Sequence, residues 1–229
     1  MAQHVILLGP QGSGKGTQAE RVAPRLGLAN IATGELFRSA MRDGTDLGQR
    51  IKTVYDRGEL VPDDLTIALV AQRLDELARK SRFDGALYDG FPRTLAQAEE
   101  LDRLLESRGQ AVTLVVAIDV PREHLIERLS GRRVCSECGR VYNVALDPAV
   151  AAGRCQVCGG ELIQRADDTP EAIAKRLDLY ETETAPLADY YARRGLLRRV
   201  DGDQPIEAVT ESIVAAIDNR QTVGSTSRS

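Results

Sequence analysis

Residues 4–17, HVILLGPQGSGKGT, carry the clearest fold pattern in the chain. Its apolar half, residues 4–8, is short and ends in glycine, which predicts a buried strand, and a helical pattern begins near Lys15. In a glycine-rich loop between strand and helix, backbone N–H groups turn towards phosphate oxygens and the helix N-terminus adds positive charge. The sequence therefore predicts a phosphate-binding loop whose Lys15 reaches the outer phosphates, formed by Gly12, Ser13, Gly14, Lys15, Gly16 and Thr17.

Gly16 departs from the common loop pattern, which has Ser or Thr directly after the lysine. The hydroxyl comes one position later, at Thr17, so the pattern does not support direct Mg²⁺ coordination by a loop hydroxyl. Asp89 ends another apolar strand, where its carboxylate can anchor Mg²⁺ through water. The alternative is a plain glycine-rich turn with an exposed lysine, but the strand and helix on either side favour the phosphate loop.

Strands and helices alternate along the chain, which predicts an α/β fold with a parallel sheet of about five strands and helices on both faces. Thr169, Pro170 and Glu171 suit a helix N-cap followed by proline at the first helical position. The other predicted strands are 30–32, 86–89, 112–119 and 196–201, and the helices beyond the loop are 35–43, 47–57, 64–80, 95–107, 122–130, 170–193 and 205–219.

Two stretches interrupt this alternation. Residues 33–61 are helical without a strand, which predicts a small helical insert. Residues 131–168 are richer in Gly, Cys and β-forming residues, which predicts a small β-rich module. The core is then formed by residues 1–32, 62–130 and 169–218, and the polar tail, 219–229, is predicted to be disordered.

The composition is that of a globular protein: 229 residues, 42% hydrophobic and 28% charged. A net charge of −4 and only 3 Phe, 6 Tyr and no Trp argue against binding to nucleic acid or to an anionic membrane. The longest apolar run, 112–118, is too short to span a bilayer. Since no basic region precedes the first apolar residues, we expect no signal peptide and a cytoplasmic location.

Two cysteine pairs, Cys135-x₂-Cys138 and Cys155-x₂-Cys158, stand 16 residues apart, which is a zinc-ribbon spacing. Four thiolates satisfy Zn²⁺ tetrahedrally and leave no open position, so the predicted metal is structural and not catalytic. Gly139 and Gly159 suit the tight turn after each pair. Two disulfides or free thiols are the alternatives, and iron can occupy the same ligands in a recombinant sample.

Several segments in family order together resemble the nucleoside monophosphate kinases, and most closely the adenylate kinases with a long zinc-binding lid. They are GPQGSGKGTQ (9–18), TGELFR (33–38), DGFPRT (89–94) with Gln97, GRRV (131–134), RADD (165–168), Lys175-Arg176 and VDG (200–202). The resemblance spans about residues 4 to 218. It implies Mg²⁺-dependent interconversion of ATP and AMP with two ADP, by a monomer in which 33–61 binds AMP and 131–168 forms the lid.

Transfer between two nucleotides brings two anionic phosphate chains together, so catalysis needs alignment and several converging cations, preferably arginine forks. By resemblance, Arg38 and Arg93 would hold the acceptor phosphate, and Arg128 and Arg132 would descend from the lid onto the donor. The implied catalytic residues are Lys15, Asp89, Arg93, Arg128, Arg132, Arg165 and Arg176. Around ATP the resemblance adds Val141, Tyr142 and Gln204, and around AMP it places Thr33, Arg38, Glu59, Leu60, Val61, Gly90, Phe91, Pro92, Arg93, Gln97, Arg165 and Arg176.

Three alternatives stay open from the sequence. A kinase for UMP, CMP or GMP is the first, although the long cysteine-bearing lid and the adenine-matching amide of Gln97 favour AMP. The second is a zinc-ribbon nucleic-acid-binding protein with a nucleotide switch, which the acidic net charge opposes. The third is an NTPase that uses water as acceptor, which the acceptor-side segments oppose.

Overall fold

A five-stranded parallel sheet lies at the centre of the computed structural model, which describes residues 2–44, 46–55, 61–79, 83–144, 147, 150–165 and 167–225. Its strands are β1 (Gln3–Leu8), β2 (Ala29–Ala32), β3 (Gly85–Asp89), β4 (Val112–Asp119) and β8 (Leu197–Asp201), and all neighbours are parallel. The strand order is β2-β3-β1-β4-β8. The predicted α/β fold with five parallel strands is confirmed. Because β1 is the central strand, the loop that follows it begins at the middle of the sheet's carboxyl edge.

Alternate residues of β1 face two separate apolar cores. Ile6 and Leu8 pack under the helices Asp63–Ala78, Leu95–Glu106 and Pro186–Arg193, and Val5 and Leu7 pack under the helices Lys15–Arg25 and Ile206–Ser225. The helices are α1 (Lys15–Arg25), α2 (Thr33–Arg42), α3 (Asp46–Tyr55), α4 (Asp63–Ala78), α5 (Leu95–Glu106), α6 (Arg122–Ser130), α7 (Pro170–Leu179), α8 (Pro186–Arg193) and α9 (Ile206–Ser225). Each fully buried aliphatic side chain contributes about 1.5–3 kcal/mol, so the sheet that carries the loop is rigidly held. Among the described residues, no helix has the length and apolar character needed to cross a membrane.

The helix predicted over 170–193 is divided into α7 and α8 by a π-helical turn, Tyr180–Thr184. Pro186 has no N–H, so the regular bond to the Thr182 carbonyl cannot form. The N–H of Ala185 instead donates to the Tyr180 carbonyl at 2.8 Å, five residues back. The extra residue in this turn accommodates the proline without ending the helical segment.

The last helix is longer than predicted. Disorder was expected from residue 219, but α9 continues through Ser225, so that prediction is wrong for 219–225. Val209, Ile213 and Ile217 are buried against the sheet and α1, and each residue added to an anchored helix gains one backbone hydrogen bond. Residues 226–229 of the predicted tail lie outside the described residues.

The two interrupting stretches have cores of their own. In the first, Phe37, Ala40 and Ile51 of α2 and α3 pack with Val61 and Leu65. The second contains an antiparallel sheet of order β6-β5-β7, formed by β5 (Arg132–Cys135), β6 (Val141–Asn143) and β7 (Leu162–Ile163). The helical and β-rich characters agree with the sequence, and the domain boundaries stay predictions.

Candidate active site

The loop after β1 requires glycine for two different reasons. Gly14 has φ +93° and precedes α1 as its N-cap, a backbone conformation that L-residues rarely adopt. Gly12 has φ +86°, and a Cβ there would lie 3.0 Å from the Leu129 side chain of α6. The neighbouring Ser13 hydroxyl is buried with no hydrogen-bond partner among the described residues. An unsatisfied buried hydroxyl in a loop of turned-in N–H groups fits a phosphate ligand.

Lys15 folds back over this loop. Its Nζ donates to the carbonyl oxygens of Gly9 at 2.6 Å and Pro10 at 2.8 Å. Burial lowers the pKa of Lys15 to about 8, and the Asp89 carboxylate opposes that shift. Three guanidinium groups lower the pKa further because they bring positive charge near the ammonium: Arg93, Arg176 and Arg132. Arginines from three distant segments therefore converge on the phosphate loop.

Asp89 and Gly16 face each other across the phosphate loop. Asp89 ends β3 and lies beside Leu7 in the register of β1. A Cβ at Gly16 would stand 3.4 Å from Asp89 Oδ2, so glycine keeps the space beside this carboxylate open. A carboxylate oxygen is a ligand that Mg²⁺ prefers, directly or through water. The residues present therefore fit a Mg²⁺ ion carried by a nucleotide.

The turn after β3 positions Arg93. The Gly90 carbonyl accepts hydrogen bonds from Arg93 Nε at 2.8 Å and from Thr33 Oγ1 at 2.9 Å. Gly90 has φ +74°, and a Cβ there would lie 3.1 Å from Arg93 Nη2 and 3.2 Å from Thr33 Oγ1. Any larger residue would displace both side chains, so Gly90 sets the direction of the guanidinium.

Gln97 is buried and its amide is engaged by the protein at both ends. Its Oε1 accepts from the Arg93 N–H at 2.8 Å, and its Nε2 donates to Asp63 Oδ1 at 2.6 Å. Thr94 Oγ1 donates to the other oxygen of the same carboxylate at 3.0 Å. Gln97 and Asp63 thus fix the backbone of Arg93, a role that the sequence did not reveal for Asp63. Recognition of adenine by Gln97 stays a prediction, because the amide would have to exchange these partners.

The other acceptor-side residues surround the same turn and the helical insert. Phe91 is 1% exposed and packs on Tyr88, with ring centroids 6.4 Å apart, and its peptide bond to Pro92 is cis. Val61 is buried in the core of the insert. Arg38 folds over Gly34, where a Cβ would meet its Nη1 at 3.3 Å. Glu59 and Leu60 lie outside the described residues.

Asp168 joins two of the converging arginines. Its side chain is fully buried, and its carboxylate accepts from Arg132 Nε at 2.8 Å and from Arg176 Nη1 at 3.3 Å. Asp167 adds a second contact to Arg176 Nη1 at 2.8 Å. Arg165 is close in sequence, and its carbonyl accepts from the Asp168 N–H at 3.1 Å. A single buried carboxylate therefore orients one arginine from β5 and one from α7.

Arg128 lies on a helix that precedes the predicted lid, although the resemblance had it descend from the lid together with Arg132. It lies in the last turn of α6, whose Leu125 and Leu129 pack against α7, so it belongs to the core. Its guanidinium contacts Asp203 Oδ1 at 2.9 Å and the Gly202 carbonyl at 3.1 Å. Gln204 is exposed in the same loop and donates to Asp201 at 3.0 Å. Arg128 and Gln204 therefore both border the loop after β8.

The four cysteines form one cluster, with all four sulfur atoms within 4.8 Å of one another. The cysteines are free, and the Sγ atoms are 3.4 Å apart for Cys135 and Cys158 and 3.6 Å apart for Cys138 and Cys155. Disulfides need a separation of about 2.05 Å, whereas thiolates around tetrahedral zinc stand about 3.8 Å apart. The two-disulfide alternative is wrong for this structure, and the cluster is compatible with a zinc site.

Each cysteine pair forms a tight turn. The N–H of Gly139 donates to the Cys135 carbonyl at 3.0 Å and that of Gly159 to the Cys155 carbonyl at 2.9 Å. Both glycines have positive φ, +74° and +75°, which confirms the reason predicted for them. The described part of the chain thus presents two pre-formed turns that direct four sulfurs inward.

Tyr142 lies in this cluster and not at a nucleotide-facing surface. Its ring is 6% exposed, and its hydroxyl is 3.2 Å from Cys155 Sγ. The hydrogen bond from Tyr142 lowers the pKa of Cys155 to about 6. Val141, the residue before it, is 48% exposed and is the member of the pair that a nucleotide could reach. Contact between Tyr142 and the donor adenine stays a prediction that this placement does not support.

Comparison with known proteins agrees with this geometry. A family model described as adenylate kinase matches residues 7–196, which include the phosphate loop, the converging arginines and the four cysteines. The adenylate kinase of Carboxydothermus hydrogenoformans is 49% identical over 213 residues, covering 93% of this chain and 98% of that protein. Similar values hold for the adenylate kinase of Moorella thermoacetica, 49% over 213 residues (93% and 97%). The adenylate kinase of Symbiobacterium thermophilum is 50% identical over 214 residues (93% and 98%).

Proposed function

The chain belongs to the adenylate kinase family and catalyses reversible, Mg²⁺-dependent phosphoryl transfer from ATP to AMP, and on this premise we propose how its residues divide the work. The phosphate loop and Lys15 bind the donor phosphates. Arg93 binds the acceptor phosphate from the other side, with Thr33 and Arg38 beside it. Arg128 and Arg132 bind the donor phosphates, and Arg165 and Arg176 neutralise the charge that the two nucleotides bring together.

The observation that carries this assignment is the convergence on Lys15. Arg93 lies in the turn after β3, Arg132 in β5 and Arg176 in α7. The positive charge of each of the three lowers the pKa of the same Lys15 ammonium. Asp167 and Asp168 offset part of the charge of Arg132 and Arg176, and Asp89 part of that of Lys15, which leaves positive charge at the site without an anionic ligand. Two phosphate chains, each with several negative charges, would neutralise the positive charge of these side chains and form hydrogen bonds with the arginines.

The reaction needs positioning more than covalent work from the protein. The acceptor phosphate oxygen is already anionic, so no general base is assigned. The arginine forks hold the attacking oxygen in line with the bond that breaks, and their charges offset those on the transferring group. Asp89 would anchor the Mg²⁺ that accompanies the donor nucleotide, and the ion would supply positive charge that offsets the charge of the phosphates.

For the cysteine cluster we propose structural Zn²⁺ held by Cys135, Cys138, Cys155 and Cys158. Four sulfur donors within 4.8 Å of one another support this choice over a catalytic metal, because four protein ligands leave no position open for substrate. The small sheet β6-β5-β7 has a core of few residues, so metal binding supplies stability that burial cannot. The bound metal would hold β5, and with it Arg132, as one rigid piece.

The assignment is tested by steady-state kinetics of Arg93→Lys and Arg132→Lys, which keep the charge and lose the planar fork. Arg93→Lys should raise KM for AMP by about tenfold and change KM for ATP little, and Arg132→Lys should do the reverse. Equal effects of each variant on both substrates would contradict the division into acceptor and donor sides. The monomeric state and the cytoplasmic location stay predictions.

A further inference from the structure

Tyr142 connects two parts of the cysteine cluster that are distant in sequence. It stands in β6, opposite Arg133 of β5, while its ring packs against Cys135, Cys155 and Leu162. The hairpin β5–β6 carries the first cysteine pair, and Cys155 opens the second. The phenol therefore reaches from one pair to the other through the interior of the module.

The hydroxyl of Tyr142 makes two hydrogen bonds, one as acceptor and one as donor. It accepts from the Gln156 N–H at 3.1 Å and lies 3.2 Å from Cys155 Sγ. Because a metal-ligating sulfur is a thiolate and carries no proton, the phenol proton is the one that joins oxygen and sulfur. The Val157 N–H approaches the same sulfur at 3.4 Å. Two donors thus hold the Cys155 sulfur in one direction.

Resting on the structural zinc site proposed above, we propose that Tyr142 is a positioning residue that orients the Cys155 thiolate and retains the lid metal. Groups that hydrogen-bond to metal ligands fix their orientation, and their loss typically costs 10–100-fold in metal affinity. Tyr142 meets this description because its hydroxyl is buried and directed at a ligand atom.

The four cysteines differ in their exposure to solvent, and this difference explains why a contact to Cys155 affects metal retention. Cys138 and Cys158 are exposed, whereas Cys135 and Cys155 are buried. Solvent and competing chelators reach the metal from the exposed side, so retention depends on the buried ligands. The Tyr142 ring packs against both buried cysteines, and its hydroxyl contacts the sulfur of Cys155.

The test is Tyr142→Phe, which deletes one oxygen and keeps the ring that packs in the module. Zinc-loaded wild type and variant are mixed with a chromogenic chelator, and zinc transfer is followed by absorbance. The variant should bind zinc about 10–100-fold more weakly. Tyr190→Phe is the matched control, since that hydroxyl donates to Asp102 at 2.7 Å, away from the cysteines, and it should behave as wild type.

Two further readouts separate this role from plain packing. The melting temperature of Tyr142→Phe should fall more in the zinc-loaded protein than in the metal-free protein. In the Co²⁺-substituted protein the sulfur-to-cobalt charge-transfer band should shift, because the thiolate loses a hydrogen bond. Wild-type zinc affinity in the variant, an unshifted cobalt band, or equal losses of melting temperature in both forms would overturn the proposal. A wild-type protein that retains no zinc would instead refute the zinc site itself.

Discussion

Arg132 and Asp168 form an ion pair that ties the first strand of the small sheet to the segment before α7, with Nε and Oδ2 2.8 Å apart. The carboxylate is buried and also contacts Arg176, so it orients Arg132, which we assign to the donor phosphates, and Arg176, which we assign to the transferring phosphate. Removal of a buried charge partner leaves the remaining charges uncompensated, which is costly.

We expect Asp168→Asn to lower the free energy of unfolding by about 3 kcal/mol and to lower kcat/KM, because Arg132 and Arg176 lose their common partner. Denaturant titration and steady-state kinetics measure the two effects. Asp167→Asn is the matched control, since Asp167 is more exposed and contacts only Arg176 of the two. An Asp168→Asn protein that behaves like the control would refute the orienting role.

Lys15→Ala and Arg93→Ala should each abolish turnover while the fold survives. Loss of an arginine that stabilises charge in the transition state costs about 10³–10⁵ in rate, taking arginine fingers as the guide. Circular dichroism and ADP formation measure the two properties, with Arg103→Ala as control because that side chain is 66% exposed and pairs with Glu100. Normal activity in either site variant would show that the site is wrongly assigned.

The pH dependence of donor binding should follow Lys15. Its pKa is lowered to about 8, so the free enzyme loses the ammonium as pH rises, and kcat/KM for ATP should fall above about pH 8. Stability has the opposite sign. Between about pH 8 and 10.5 the unfolded chain binds more protons at this lysine than the folded chain does, so the free energy of unfolding increases as pH rises. That gain should vanish in Lys15→Met, and a kcat/KM that stays constant through pH 9.5 would contradict the account.

Cys135→Ala should lower zinc content and melting temperature more than it alters the chemical step, since the metal is assigned a structural role. Elemental analysis, calorimetry and single-turnover rates measure the three quantities. Ser136→Ala, the next residue along, is the control because it removes a small polar group without touching the sulfurs. If Cys135→Ala kept both its zinc and its melting temperature, the structural-metal assignment would fall.

The parts of this protein that sequence predicts are those coded by local pattern. The loop after β1 needs glycines at fixed positions, parallel strands need unbroken apolar runs, and metal knuckles need closely spaced cysteines. Each of these requirements acts within a few residues, so each is visible in the order of residues alone.

The parts that sequence missed depend on which distant segments meet. Asp63 holds Gln97 because α4 starts beside the turn after β3, and Tyr142 reaches Cys155 because β6 folds over the second cysteine pair. The resemblance had Arg128 descend from the lid together with Arg132, although residue 128 precedes the predicted lid, and the apolar contacts of α6 with α7 hold it outside the small sheet. Such partners are decided by tertiary packing, which local pattern does not report.

Adenylate kinase activity is measured by incubating the purified protein with MgATP and AMP, UMP, CMP or GMP in turn and following ADP. We expect rapid ADP formation with AMP, little with the other three, and almost none without an acceptor. Preference for another monophosphate would leave the phosphate chemistry intact and refute the assigned base selectivity. ADP formation at the same rate without any monophosphate would contradict the account, because the acceptor would then be water.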